Sequence, residues 1–298
     1  MHQNKNQNQH IPVLAHAVMS YLAPSRGESY LDLTAGYGGH AKQVLSKTAG
    51  PATLVDRDLA AVNYLRSVFK TNSVEVVHQD FLAASQELNR SNQQFNMILA
   101  DLGVSSPHLN TASRGFSLMS DGPLDMRMDQ RQTLTADIIA NTYSERDLTD
   151  VLRQYGEEPR AGKIAQAIIG HRPLTSTKEL AAAVLTASPR GSQKVHPATR
   201  TFQALRIAVN SELDQLAEAL PIWIDLLNPS GRLVVISFHS LEDRLVKHAL
   251  ADASIGYEAK VQLLTKKPVI AGSQELVFNP RARSAKLRAV VKINKPPT

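Results

Sequence analysis

Four aspartates stand where short apolar runs end. Asp32 follows Tyr30-Leu31, Asp56 follows Leu54-Val55, Asp80 lies just past Val74–His78, and Asp101 follows Ile98-Leu99-Ala100. One carboxylate at a strand end is often a turn former. Four of them closing successive parallel strands would face a single crevice, because such sheets bind ligands outside the carboxyl ends of their strands. The first turn reads Asp32-x-Thr34-x-Gly36-x-Gly38-Gly39-His40. Its glycines let backbone approach a ligand where a Cβ would clash. The spacing is not Gly-x-Gly-x-x-Gly, so the dinucleotide fingerprint is absent, and a tight strand-to-helix turn without a ligand stays open. Asp56 is placed to accept both hydroxyls of a ribose, and Phe81, beside Asp80, offers an aromatic face to a purine. Acidic groups with few cations around them suit S-adenosylmethionine, which carries a positive sulfonium and no phosphate.

These side chains need a scaffold, and the pattern supplies one. Strands are expected at 30–34, 52–56, 74–78 and 97–101, with helices at 40–47, 58–70 and 82–89 between them. That alternation predicts a parallel sheet with helices on both faces. From 109 to 206 only helical patterns and turns occur, such as Leu148, Val151 and Leu152 on one face of a helix entered at Ser144. Val209, Leu213, Leu216, Leu220 and Leu227 keep helical spacing, with Pro221 expected to kink or restart that helix. Asn228–Gly231 reads as a turn, 232–238 as a fifth strand and 240–252 as a helix. Strands at 261–265 and 286–293 could close the sheet as a long hairpin. The expected architecture is α/β. Its seven-stranded sheet resembles that of class I (Rossmann-like) methyltransferases, and an all-helical domain is inserted. The expected borders are a flexible arm at 1–10, the sheet domain at 11–108 and 207–298, and the helical insert at 109–206.

Composition narrows the chemistry. The 298 residues contain no cysteine, which removes disulfides, thiolate metal sites and every cysteine-nucleophile mechanism. Methylation at pyrimidine C5 by cysteine addition is thereby excluded, whereas attack by an exocyclic nitrogen is not. The ten histidines show no ligand-like i, i+4 pairing with carboxylates, so no metal is expected. No apolar run approaches the ~20 residues of a membrane span, and the polar start Met1–His10 has no signal core. A cytoplasmic protein without membrane attachment is expected. The formal charge is +6, and six Lys and Arg with no acid fall in 279–298, leaving the remainder balanced.

Several long segments resemble one family. They are Asp101-Leu-Gly-Val-Ser-Ser-Pro107, Arg114-Gly-Phe-Ser117, Gly122-Pro-Leu-Asp-Met-Arg-Met128, Tyr155-Gly-Glu-Glu158, His196-Pro-Ala-Thr-Arg-Thr-Phe-Gln-Ala-Leu-Arg206, Ser237-Phe-His-Ser-Leu-Glu-Asp-Arg244 and Asn279-Pro-Arg-Ala-Arg-Ser284. The chain is similar, from His10 to about Ile293, to the MraW (RsmH) family of ribosomal RNA small subunit methyltransferases. The resemblance implies transfer of a methyl group from S-adenosylmethionine to the exocyclic N4 of a cytosine in the decoding region of 16S rRNA, with that RNA, within the small ribosomal subunit, as partner. It places cofactor contacts on Gly38, Gly39, His40, Asp56, Phe81 and Asp101, and a further one on His108, where the family commonly has Gln. A neutral imidazole cannot both donate and accept from one amide plane as Gln does.

Asp101 is the expected catalytic group, close to the transferred methyl or the target amine. Ser105 contacts substrate or merely forms its loop. His239 contacts the base or relays a proton, or is bonded within its own loop. Phe238 or Phe116 stacks the base, or both belong to the core. For RNA phosphates the candidates are Arg200 and Arg206 beside His196-Pro-Ala-Thr, with Arg190 and Lys194 nearby, and Arg281, Arg283 and Lys286 in the basic segment. Lys286, Arg288 and Lys292 alternate with Leu287, Ala289 and Val291, as in a strand with one uncovered face. A lysine-bearing edge strand protected against aggregation is the alternative.

Overall fold

The computed structural model describes residues 12–188 and 196–294. The expected arm at 1–10 and the cations Arg190, Lys194 and Lys295 lie outside them. Strands β1 (Tyr30–Asp32), β2 (Ala52–Asp56), β3 (Val74–His78), β4 (Phe95–Asp101), β5 (Leu227–Ser237), β6 (Val261–Leu263) and β7 (Lys286–Lys292) form one sheet in the order β3-β2-β1-β4-β5-β7-β6. β1 to β5 are parallel, and β7 runs antiparallel to both β5 and β6. The seven strands, their order and the antiparallel seventh form an α/β sheet of the class I methyltransferase type. The strand order reverses between β1 and β4, the switch point at which such sheets bind ligands.

Parallel strands are buried on both faces, so their side chains divide between two cores. Leu31, Leu33, Ile98, Ala100, Leu233 and Val235 enter one apolar cluster with Trp223, while Tyr30, Met97, Leu99, Val234 and Ile236 enter the other. The helices α1 (Ala15–Leu22), α2 (Gly39–Thr48), α3 (Leu59–Val68) and α4 (Phe81–Arg90) belong to this unit. Asp58 and Asp80 cap α3 and α4 by accepting the N–H groups of Ala60 and Ala83, each worth about 1 kcal/mol.

The chain divides into two compact units, one of residues up to Gly103 and from Gln215 onward, the other Val104–Asp214. The expected borders at 109 and 206 would cut α5 (Ser106–Asn110) and α10 (Thr199–Asn210), which the units keep whole. Between these helices lie α6 (Ala136–Thr142), α7 (Glu145–Gly156), α8 (Ala161–Gly170) and α9 (Thr177–Ala187), around a core that includes Leu148, Leu152, Ile164, Ile168, Leu180 and Phe202. The buried Asn210 amide donates to Met126 O and accepts from Met128 N–H, both at 2.8 Å, which pins the 122–128 segment to α10. A Cβ at Gly156 would lie 2.8 Å from Arg200 O, so α7 and α10 meet through that glycine.

Three local expectations are corrected. The helix carrying Pro221 is not broken there: α11 (Glu212–Asp225) is continuous, and the interruption falls at Ser211, which adopts a left-handed conformation (φ 48°). Burial of Leu220, Trp223 and Ile224, with Trp223 Nε1 donating to Ser85 Oγ at 2.9 Å, outweighs the roughly 3 kcal/mol cost of an internal proline. Asn228–Gly231 is not a free turn. It is an irregularity inside β5, where pairing skips from Phe95↔Leu227 to Met97↔Arg232. The closing hairpin is short, because β6 has only three residues and pairs with Val290–Lys292 alone. The chain then continues through α12 (Ser240–Asp252), before β6, and α13 (Ser273–Phe278), after it. Among the described residues no helix is long and apolar enough to cross a membrane.

Candidate functional site

The carboxyl ends of the parallel strands bring Asp32, Asp56 and Asp101 into one electrostatic unit. Asp32 is 1% exposed. It accepts the Tyr30 hydroxyl at 2.8 Å and the Thr34 N–H at 3.3 Å. Burial lifts its ionisation to about 7 against the pull of those two hydrogen bonds, and the nearby charge of Asp56 adds to the rise. The Tyr30 hydroxyl is itself pushed well up, by burial and then by Asp32.

Asp56 holds the glycine turn. Its two oxygens accept Gly36 N–H at 2.7 Å and Asp58 N–H at 2.8 Å. Asp80, the strand-end aspartate beside Phe81, uses one oxygen as the cap of α4. Phe81 packs edge-on against Trp223 at 5.5 Å and is partly buried.

Asp101 ends β4. Its N–H donates to Thr34 Oγ1 at 2.6 Å, and its Oδ2 lies 3.7 Å from His40 Nε2. Its Oδ1 is buried with no hydrogen-bond partner among the described residues. Burial, then the charges of Asp32 and Glu242, push the Asp101 carboxyl well above the usual carboxylate range. A buried acceptor without a donor is costly and is retained at functional sites. Gly38 (φ 72°) caps α2 in a conformation that favours glycine, and a Cβ there would lie 2.8 Å from the Phe69 ring. A Cβ at Gly39 would lie 2.8 Å from Pro12. Both glycines thus also answer to packing within the protein.

His239 caps α12. Its Nδ1 accepts the Glu242 N–H at 3.3 Å, which leaves Nε2, 3.2 Å from Glu242 Oε1, as the nitrogen that carries a proton. Glu242 Oε2 in turn accepts Phe238 N–H at 2.7 Å. Of the readings open for His239, the geometry displays the bond within its own loop. Glu242 went unnoticed as a contributor to the Asp101 field, although the His239-x-x-Glu242 capping-box spacing marks it. Thr34, which holds the Asp101 backbone, was likewise passed over as part of the turn.

Ser105 and His108 lie in the helical unit and close on each other. His108 Nδ1 accepts Ser105 N–H at 3.2 Å and lies 3.1 Å from Ser105 Oγ. The His108 ring sits against Phe116 at 5.1 Å, and Phe116 is buried in the helical core. Phe238 is partly exposed and lies beside Gly103.

The basic candidates separate. Arg200 is exposed, donating to Glu157 O at 3.3 Å, and Arg281 and Arg283 are exposed. Arg206 is tied to Glu212 by two 2.8 Å hydrogen bonds, and Lys286 donates to Asp243 at 3.0 Å. Their charges are compensated inside the protein. The expected uncovered cationic face of 286–292 is also corrected. β7 lies between β5 and β6, Arg288 is buried on Asp243, and Lys292 donates to Ile224 O.

A pH test follows from Asp32. Its ionisation is raised on folding, so between about pH 4, the unfolded value, and about 7 the folded state holds the extra proton. Stability is full below that window and falls as pH rises through it. Thermal melts of the wild type are expected to drop from pH 5 to 7.5, and Asp32→Asn is expected to flatten the drop. An equal drop in both proteins would refute the assignment.

Comparison with known proteins follows the same outline. A ribosomal RNA small subunit methyltransferase H from a Cyanothece species is 48% identical over 96% of this chain and 95% of its own length. Proteins of the same name from Koribacter versatilis and Acidobacterium capsulatum are 43% and 42% identical, each over 96% of this chain, and over 95% and 99% of their own lengths. Residues 7–293 match the MraW methylase family. With the match extending through the glycine turn, all the strand-end carboxylates and the Asn279–Ser284 segment, the chain belongs to the MraW methylase family.

Proposed function

We propose that this chain methylates the exocyclic N4 of a cytosine in the decoding region of 16S rRNA, with the RNA presented in the small ribosomal subunit and the enzyme in the cytoplasm. The relatives' shared name supports small-subunit rRNA as substrate. The observation that carries the chemistry is the Oδ1 of Asp101 at the end of β4, buried and without a hydrogen-bond partner among the described residues.

S-adenosylmethionine is the cofactor, and the residues present fit it. Asp56 ends β2 beside the glycine turn, where a ribose would be met, and three acidic groups, Asp32, Asp101 and Glu242, create a field that a cation relieves. When bound, the cofactor supplies an electrophilic methyl on a positive sulfur. Everything else falls to the protein. A cytosine N4 amine is a poor nucleophile because its lone pair is delocalised into the ring. Asp101 accepts an N4–H and so favours a pyramidal nitrogen with its lone pair aimed at the methyl. A carboxylate whose basicity is raised by burial is the stronger acceptor, and it holds the proton that the amine sheds as the N–C bond forms. The acidic field also turns from mutual repulsion to attraction when a cation enters, which favours the ionised Asp101. The Phe238 ring lies at the end of β5 to stack the base, and Gly38, Gly39, His40 and Phe81 line the cofactor side. Arg200, Arg281 and Arg283 serve the RNA backbone.

The decisive measurement is nucleoside analysis of small-subunit RNA from a strain lacking this gene. N4-methylcytidine is expected to disappear and to return with the wild-type gene but not with Asp101→Asn. Unchanged N4-methylcytidine in the deletion strain would overturn the proposal. Its return with the variant would remove Asp101 from the mechanism.

A further inference from the structure

The chain enters β7 beside the carboxyl end of β5, because Lys286 pairs with Ser237. The residues just before Lys286, α13 and the 3-10 turn Pro280–Ser284, therefore lie along the edge of the sheet where the parallel strands end. A second tie fixes this lip. Glu275 Oε1 accepts Leu14 N–H at 2.7 Å, and Pro12, two residues earlier, abuts Gly39. The inward side is apolar: Leu276, Ala282 and Ala285 join Val13, Leu14 and Phe238 in one cluster.

The outward side is apolar as well, where solvent-facing polar residues would be ordinary. Phe278 is 77% exposed and Val277 74%. Arg281 and Arg283 stand exposed within five positions of Phe278, and no acid occurs between Asn279 and the last residue. A lone exposed apolar side chain needs no explanation. A bare phenyl ring with arginines close by, on a segment tied to the chain that abuts the glycine turn, is a different arrangement. Single-stranded RNA is held by aromatic faces that stack its bases and by cations that follow its phosphates. Two apolar side chains set among arginines are too small and too charged a patch for a protein interface core.

We propose that the α13 lip is a stacking platform for the single-stranded RNA flanking the reacting base, with Phe278 against a base and Arg281 and Arg283 on neighbouring phosphates. This rests on the RNA reading above and adds the surface that grips the strand. The probe is a fluorescently labelled oligouridylate, titrated with the full chain over a series of salt concentrations. Phe278→Ala is expected to weaken binding by about tenfold with an unchanged salt slope, since it removes stacking and no charge. Arg281→Gln with Arg283→Gln is expected to flatten the slope by about 0.7 per lost contact. Phe278→Trp is expected to restore affinity, and its emission is expected to be quenched on binding against the constant background of the fully buried Trp223. If the wild type binds no RNA, the RNA reading itself fails. If the wild type binds but Phe278→Ala binds equally well and Phe278→Trp is unquenched, the platform alone is refuted.

Discussion

Replacing Asp101 by asparagine is expected to lower single-turnover methyl transfer by about two to three orders of magnitude, the usual cost of losing one preorganised polar group at the reacting centre. Folding is expected to survive. The substitution keeps volume, leaves the backbone N–H bonded to Thr34 Oγ1, and removes a charge repelled by Asp32 and Glu242. What it loses is basicity, since an amide oxygen is a weaker acceptor than a carboxylate and cannot take a proton. The effect should therefore appear in the chemical step with RNA affinity retained. The pH profile supplies a readout that a purely structural role would not move. Burial and like charges raise the ionisation of Asp101, so the wild-type rate should climb with pH through a range above that of ordinary carboxylates. The variant's rate should lack that limb. Full turnover by Asp101→Asn with both ligands bound would refute the assignment.

The second large effect is on stability. Asp243 on α12 accepts Arg288 Nε at 2.7 Å and Lys286 Nζ at 3.0 Å, clamping that helix to β7. Arg288 is buried. Asp243→Ala would leave that guanidinium in the interior without its carboxylate, and breaking a buried pair from one side costs about 3–5 kcal/mol. Urea denaturation is expected to show a lower midpoint with an unchanged slope. The double variant Asp243→Ala with Arg288→Met is expected to regain much of the loss, because no buried charge is stranded. Equal stability of Asp243→Ala and wild type would refute the clamp. Burial pushes the Asp243 carboxyl up, but Arg288 and then Lys286 bring it below its usual value. The clamp is therefore complete above the ordinary carboxylate range and lost as pH falls through the depressed value.

These two sites mark where a linear reading succeeds and where it stops. Asp101 was visible because parallel strands buried on both faces appear as apolar runs, and a carboxylate at the end of such a run is conspicuous. The same logic located Asp32, Asp56 and the glycine turn. The Asp243 clamp was not visible, because Arg288 lies 45 positions from its partner and no local pattern links them. In isolation, Lys286, Arg288 and Lys292 alternate with apolar residues as a wet strand face would. Only the placement of β7 between two strands shows otherwise. Arg206 was missed for a related reason, its partner Glu212 lying beyond the break at Ser211. Phe81, Gly38 and Gly39 carry packing duties that their motif does not reveal.

The position of β7 also bears on the order in which the protein can be built. The helical unit is one uninterrupted stretch of sequence, so all its own contacts lie between residues already made when Asp214 is added. The sheet cannot do the same. β4 can pair with β1, but its other edge must wait for β5, more than 120 positions later, and β6 has no neighbour in the sheet until β7, which ends at Lys292, is inserted beside it. Pairings so distant in sequence form slowly, because loop-closure entropy is lost before the contacts return anything. Until then the edge of β5 stays open, an aggregation-prone state that lasts as long as translation of the final segment.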